Sequence, residues 1–203
     1  MNLCIISNPS NVSNESLIIN NLFSNGLEIF HLRKPNGSIN EVAELLRGID
    51  DKFHHKISLH QHHKLSEQFE ITRFHFTEDK RKKTGPAELE KYYSDGKILS
   101  TSIHSIDDYK ILSSCFDYCF LGPVFNSISK KESKSIIKND FIIEEQTKTK
   151  IIALGGINKE SIPAVKKMGF NGIALLGSIW QSEKPVESFN QIKETWLQKQ
   201  LVY

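Results

Sequence analysis

The chain has no apolar run approaching the roughly 20 residues of a bilayer-spanning helix, so no membrane passage is expected. Its N-terminus lacks a basic segment followed by an apolar one, which speaks against a secretory leader. Lysine and arginine (26) barely exceed aspartate and glutamate (24), and a formal charge of +2 favours neither nucleic acid nor a membrane surface as partner. Cysteine is scarce and odd in number. Cys4, Cys115 and Cys119 lie in or beside apolar runs, as small buried hydrophobes of a reducing cytoplasm would, and a disulfide framework is not expected. No stretch is rich in proline or glycine and none is of low complexity, so residues 1–203 are read as one domain. With 38% hydrophobic and 25% charged residues, the chain is polar for a globular protein yet able to bury a core.

What is present is organised around Lys150–Trp180. Ile151–Leu154 is a short apolar run of the kind buried on both faces in a parallel sheet, and Gly155 and Gly156 turn the backbone sharply after it. Asn158 or Ser161 can cap a helix running through Lys167, with Gly169 as its stop. Gly172–Leu176 is a second buried strand, followed at once by Gly177, Ser178 and a helix start. Neighbouring glycine turns expose backbone N–H groups, and a helix N-terminus adds partial positive charge, a combination suited to phosphate.

Upstream, the pattern predicts strands at Leu3–Ser7, Ile29–Arg33, Lys56–His60, Arg73–Phe76, Lys97–Ser102 and Tyr118–Gly122. Helices are predicted over Asn14–Ser24, Ile39–Ile49, His62–Phe69, Pro86–Tyr93, Ser105–Leu112 and 139–147, with the tail from Pro185 as the last. Thr77–Gly85 and 123–138 read as polar loops. Eight strands alternating with helices predict an α/β fold closed as a (β/α)8 TIM barrel, with a doubly wound open sheet as the structural alternative.

In such a barrel the chemistry sits at the carboxyl ends of the strands. Those ends carry His31, Arg33 and Lys34; His60 and Gln61; His75; Ser102 and His104; then Ser127, Ser129, Lys130 and Lys131. A basic, hydroxyl-rich rim beside two glycine turns attracts anions and suits phosphate or pyrophosphate. The four histidines at consecutive strand ends allow either a soft-metal site or a pH-dependent pocket, and the preferred reading is simply the lining of a polar cavity. His54, His55, His62 and His63 are read as loop and helix-surface residues.

The ordered motifs HLRK, STSIH, DYCFLGPVF, SISKK, IIALGGI and GIALLGSI resemble thiamine phosphate synthase and its TenI-like relatives over nearly the whole chain. The resemblance implies an enzyme of thiamine biosynthesis that joins hydroxymethylpyrimidine pyrophosphate to thiazole phosphate with Mg2+, releasing pyrophosphate. It implies that Gly156 and the Gly177–Ser178–Ile179 turn hold the thiazole phosphate. Arg33, Ser102 and Lys130 match residues acting at the leaving pyrophosphate, and Ser127 and Ser129 stand where the family has threonines. His31 replaces a glutamine that helps hold the pyrimidine, Lys34 stands one place before the family's lysine, and His104 joins the substrate-binding set. At the family's magnesium carboxylates this chain has His60, Gln61 and Lys80, with Asp79 reaching the second position through a one-residue gap. The expected partners are small phosphorylated substrates, with homo-oligomerisation left open. A TenI-like thiazole tautomerase and a non-catalytic thiazole-phosphate binder are the alternatives, although the tautomerase's histidine position holds Pro123.

Overall fold

The computed structural model describes residues 2–126, 135–137 and 141–198. Its elements are β1 (Asn2–Ile6), α1 (Glu15–Ser24), β2 (Ile29–Leu32), α2 (Ile39–Arg47), β3 (Ile57–Leu59), α3 (Leu65–Gln68), β4 (Arg73–Phe76), α4 (Glu78–Lys83) and α5 (Pro86–Ser94). They continue with β5 (Ile98–Ile103), α6 (Ile106–Lys110), β6 (Phe116–Leu121), β7 (Lys150–Leu154), α7 (Ile162–Lys167), β8 (Gly172–Leu175), α8 (Gly177–Trp180) and α9 (Pro185–Leu197). All eight strands are parallel and neighbours in sequence order, and β1 pairs β8 with Asn2 opposite Gly172 and Ile5 opposite Leu175. That last ladder closes the sheet and rules out the open alternative. The fold is a (β/α)8 barrel.

Strand alternation sorts the side chains into two layers. Leu3, Ile5, Phe30, Leu59, Ile151 and Ile173 face outward into the core shared with the helices, where Leu22, Leu46, Val165 and Phe189 meet them. Cys4, Ile6, Ile29, Tyr118, Phe120, Ile152 and Ala174 form the apolar part of the barrel interior. On β2 to β5 the interior also carries polar residues: His31, Ser58, His75, Ser100 and Ser102 alternate with the outward-facing apolar residues. One wall of the barrel is therefore greasy and the other is built of imidazoles and hydroxyls.

Three local expectations are corrected. Glu78–Lys83 is a helix rather than part of a loop. Thr77 Oγ1 accepts from Lys80 N, Glu78 and Asp79 occupy the first turn, and four basic residues follow, so the charge order matches the helix dipole. Residues 141–147 are not helical. Ile143 is buried, its N–H bonds Met168 O at 2.9 Å, and Phe141 packs against Phe170, so tertiary contacts take the donors a helix would use. His54 is buried, with Nε2 between the carbonyls of Leu46 and Ile49, and is not a surface residue.

Candidate active site

Just below the barrel mouth, the polar wall forms one connected group. His31 Nδ1 lies 3.0 Å from His60 Nε2, and Tyr118 Oη lies 2.9 Å from His31 Nε2. His75 Nδ1 and Nε2 lie 2.9 Å and 3.0 Å from Ser100 Oγ and Ser102 Oγ. The rings of His60 and His75 stack with centroids 4.0 Å apart. All three histidines are buried. Burial, then mutual repulsion and the Arg73 charge, hold His31 well below the usual imidazole range. His60 is lowered for the same leading reason, and His75 is pushed down to about 3. The rings are thus neutral at pH 7. Both nitrogens of His31 are engaged, Nδ1 with His60 and Nε2 with Tyr118. His104 does not join them: its exposed ring is turned so that Nδ1 lies 2.8 Å from Gly122 O, and Nε2 is 3.7 Å from Glu78 Oε2.

At the rim, the backbone of Arg33 is clamped by Ser7, whose Oγ donates to Arg33 O and accepts from Arg33 N, both at 2.8 Å. The half-buried Arg33 guanidinium has no carboxylate partner among the described residues, which leaves its charge available at the mouth. Lys34 behaves differently. Its Nζ contacts Asn8 O, Ser10 O and both Glu15 oxygens at 2.6–2.9 Å, in a buried ion pair. With its donors engaged in this way, Lys34 ties the β1–α1 loop to the end of β2.

The glycine turns lie where the sequence places them. Gly155 and Gly156 have φ of 96° and 66°. The chain after β6 crosses this turn: Val124 N donates to Leu154 O at 2.9 Å and Phe125 N to Gly155 O at 3.1 Å. A Cβ on Gly156 would stand 2.7 Å from Phe125 Cβ and 2.9 Å from the Phe125 and Asn126 carbonyl oxygens. Gly156→Ala combines a left-handed backbone with this collision. It should cost about 2–4 kcal/mol, read as a lower urea midpoint at unchanged m. An unchanged midpoint would mean the turn relaxes freely. Beyond β8, Gly177 and Ser178 open α8, and Ile179 is buried. Ser178 Oγ is buried without a hydrogen-bond partner among the described residues. Ser127, Ser129 and Lys130 lie outside the described residues.

Magnesium does not fit what the described residues offer. It takes hard oxygen ligands, whereas the strand ends hold His60 and Gln61, and Lys80 Nζ turns towards the His63 ring at 3.3 Å. Asp79 is exposed and belongs to no group of three or more metal-ligating side chains among the described residues. Gln61 instead bonds the Lys34 carbonyl through Nε2. Sequence reasoning missed Ser100, Tyr118 and Ser7 as partners of the site. The inward positions of Ser100 and Tyr118, two before Ser102 and Phe120, carried a usable signal; Ser7 carried none.

Comparison with known proteins agrees with this architecture. A curated thiamine-phosphate synthase of Anoxybacillus flavithermus is 29% identical over 102 residues, 48% of this chain and 47% of that protein. The aligned part thus spans about half of that relative. The crystal structure of a thiamine phosphate pyrophosphorylase from Bacteroides thetaiotaomicron superposes with a TM-score of 0.74 at 26% identity, covering 96% of this chain and 97% of that one. A thiamine phosphate pyrophosphorylase from Pyrococcus furiosus gives a TM-score of 0.75 at 17% identity, over 96% and 95% of the two chains, a likeness of fold. Residues 3–179 match the family model described as thiamine monophosphate synthase, and the chain belongs to that family.

Proposed function

We propose that this chain is a thiamine phosphate synthase, joining hydroxymethylpyrimidine pyrophosphate to thiazole phosphate with release of pyrophosphate. The observation that carries this reading is the family match over residues 3–179, set on a barrel whose rim holds Arg33, clamped through its backbone by Ser7 and without a carboxylate partner among the described residues. In the reaction the C–O bond between the pyrimidine methylene and pyrophosphate breaks, and the thiazole nitrogen supplies the electron pair of the new C–N bond. Such chemistry asks the protein chiefly for alignment and for stabilisation of the departing negative charge. Arg33 and Lys130 supply positive charge to the leaving group. Ser102, already hydrogen-bonded to His75, adds a fixed hydroxyl. Gly156, Gly177, Ser178 and Ile179 hold the thiazole phosphate, with Ser127, Ser129 and His104 completing the substrate contacts. A reducing cytoplasm suits the three unpaired, buried thiols.

Arg33→Gln removes a cation that matters most as charge develops on pyrophosphate. It should lower kcat by about 100-fold, near 3 kcal/mol of transition-state stabilisation, with a smaller change in KM. The measurement is pyrophosphate release from the two phosphorylated substrates. Wild-type protein that releases none across a panel of divalent ions would end this reading. Wild-type turnover in Arg33→Gln would remove Arg33 from it.

A further inference from the structure

The interior of a (β/α)8 barrel is normally filled by branched apolar side chains. Here His31, His60 and His75 each present a ligand atom, and the three atoms lie within 4.8 Å of one another in a buried group. It is the one cluster of three or more His, Cys, Asp or Glu ligands among the described residues. Five of the six ring nitrogens have partners; among the described residues His60 Nδ1 has none, and neither does the buried Ser58 Oγ on β3. A buried polar atom left unpaired costs about 1–3 kcal/mol. Closing the barrel does not require that cost, since β6 to β8 and β1 fill their share of the interior with apolar groups.

We propose that His31, His60 and His75 bind a divalent transition-metal ion of the zinc type inside the barrel. The ligand chemistry selects the class of ion: imidazole suits zinc, cobalt, nickel or copper, whereas magnesium requires oxygen donors. The spacing is close to what is needed. His31 Nδ1 and His60 Nε2 are 3.0 Å apart, and two nitrogens bound at about 2.0–2.1 Å to one tetrahedral ion stand roughly 3.3 Å apart. A small opening of that pair admits the ion.

Outer partners stand at two of the three rings, His31 and His75, while His60 Nδ1 has none among the described residues. Metal-bound histidine normally donates its second ring N–H to a fixed acceptor. Tyr118 Oη is 2.9 Å from His31 Nε2, and a serine hydroxyl stands at each nitrogen of His75, so either nitrogen can bind while the other stays held. No proton need leave. The His31–His60 hydrogen bond gives way, each ring keeps one N–H, and the His31 proton sits on Nε2 facing Tyr118. Three neutral ligands leave the ion's charge unbalanced. The described residues whose charges bear on the rings, Arg33, Arg73 and Lys80, are cationic. The remaining coordination position therefore favours hydroxide or another anionic oxygen. None of this depends on the transferase reading.

The test uses full-length protein purified without a histidine tag, stripped with a chelator, then exposed to Zn2+ or Co2+ and gel-filtered. The expected results are one retained equivalent of zinc, the intense visible bands of a low-coordinate cobalt site, and an X-ray absorption pattern with three imidazoles. His60→Gln should weaken zinc binding by about 100-fold, the upper end of what loss of even an outer partner costs. His55→Gln, on an exposed residue, should leave binding unchanged. Wild-type protein that retains no stoichiometric zinc, or gives the weak spectrum of octahedral cobalt, overturns the proposal whether or not the variants fold. Folded His60→Gln that binds like wild type overturns it as well.

Discussion

Lys34→Met should lower the melting temperature by roughly 6–20 °C, and adding Glu15→Gln should recover most of the loss. The ion pair is buried on both sides, with Nζ 2.6 Å from Glu15 Oε2. Burial raises the Glu15 pKa, and the hydrogen bond and charge of Lys34 pull it back. Desolvation thus takes up much of the attraction, and the intact pair adds little over a neutral one. Removing only the ammonium leaves a buried carboxylate without a counter-charge, which costs about 3–5 kcal/mol. For a chain of this size each kcal/mol is worth about 2–4 °C. In the double variant, the amide that replaces the Glu15 carboxylate has no charge to strand and can serve both the Val12 N–H and the nearby loop carbonyls. The same variants separate tether from ligand contact. If Lys34 only fixes the loop beside Arg33, the double variant keeps pyrophosphate release within a few-fold of wild type below its transition. A 100-fold loss in a stable double variant would return Lys34 to the substrate-binding set.

Lys34 also shows where the sequence stops being informative. Its place on the barrel rim follows from strand periodicity, and so does the position of Arg33. The two side chains part company because of Glu15, nineteen residues earlier on another element, and no local pattern records that meeting. The eight strands were readable because buried parallel strands are short apolar runs bounded by glycine and polar turns. The closing β1–β8 ladder was implied by their number alone. α4 escaped because six consecutive charged residues look like a solvated loop unless Thr77 is recognised as a cap. The segment 141–147 misled in the other direction, since its donors are taken by a neighbour distant in sequence. Four histidines at strand ends were visible in the sequence. That His31, His60 and His75 converge while His104 turns away depends on where β5 stops and on the Gly122 carbonyl that holds the ring.

The converging histidines also dictate how the protein responds to acid. Metal-free protein, held in chelator, should lose stability steeply as pH falls from 6.5 towards 4. His31 and His60 are held well below the ordinary imidazole range by burial, and His75 is lowered to about 3. In the unfolded chain each takes up a proton near pH 6.5, whereas in the barrel each stays neutral. The unfolded state therefore binds more protons throughout this window. The stability these rings allow is fully present above pH 6.5 and declines as pH drops towards the folded pKa values. Each ring contributes up to about 1.4 kcal/mol per pH unit, so His75 alone accounts for about 4–5 kcal/mol between pH 6.5 and 3. Glu15 and Glu28 act in the opposite sense. Burial raises their folded pKa values, so acidification to just above 4.5 favours the native state at those two sites. Three buried histidines outweigh one buried, lysine-paired carboxylate and one half-buried one, and the net slope stays positive with pH. Against a typical total of about 5–15 kcal/mol, that slope is enough to unfold the barrel in mild acid. Urea midpoints measured from pH 7.5 to 4 give the slope directly. His75→Gln, which keeps hydrogen bonding to Ser100 and Ser102, should reduce it by about one proton per molecule unfolded. Equal stability at pH 7 and pH 4.5, or an unchanged slope in His75→Gln, would show that these rings are already charged or wet in the native barrel.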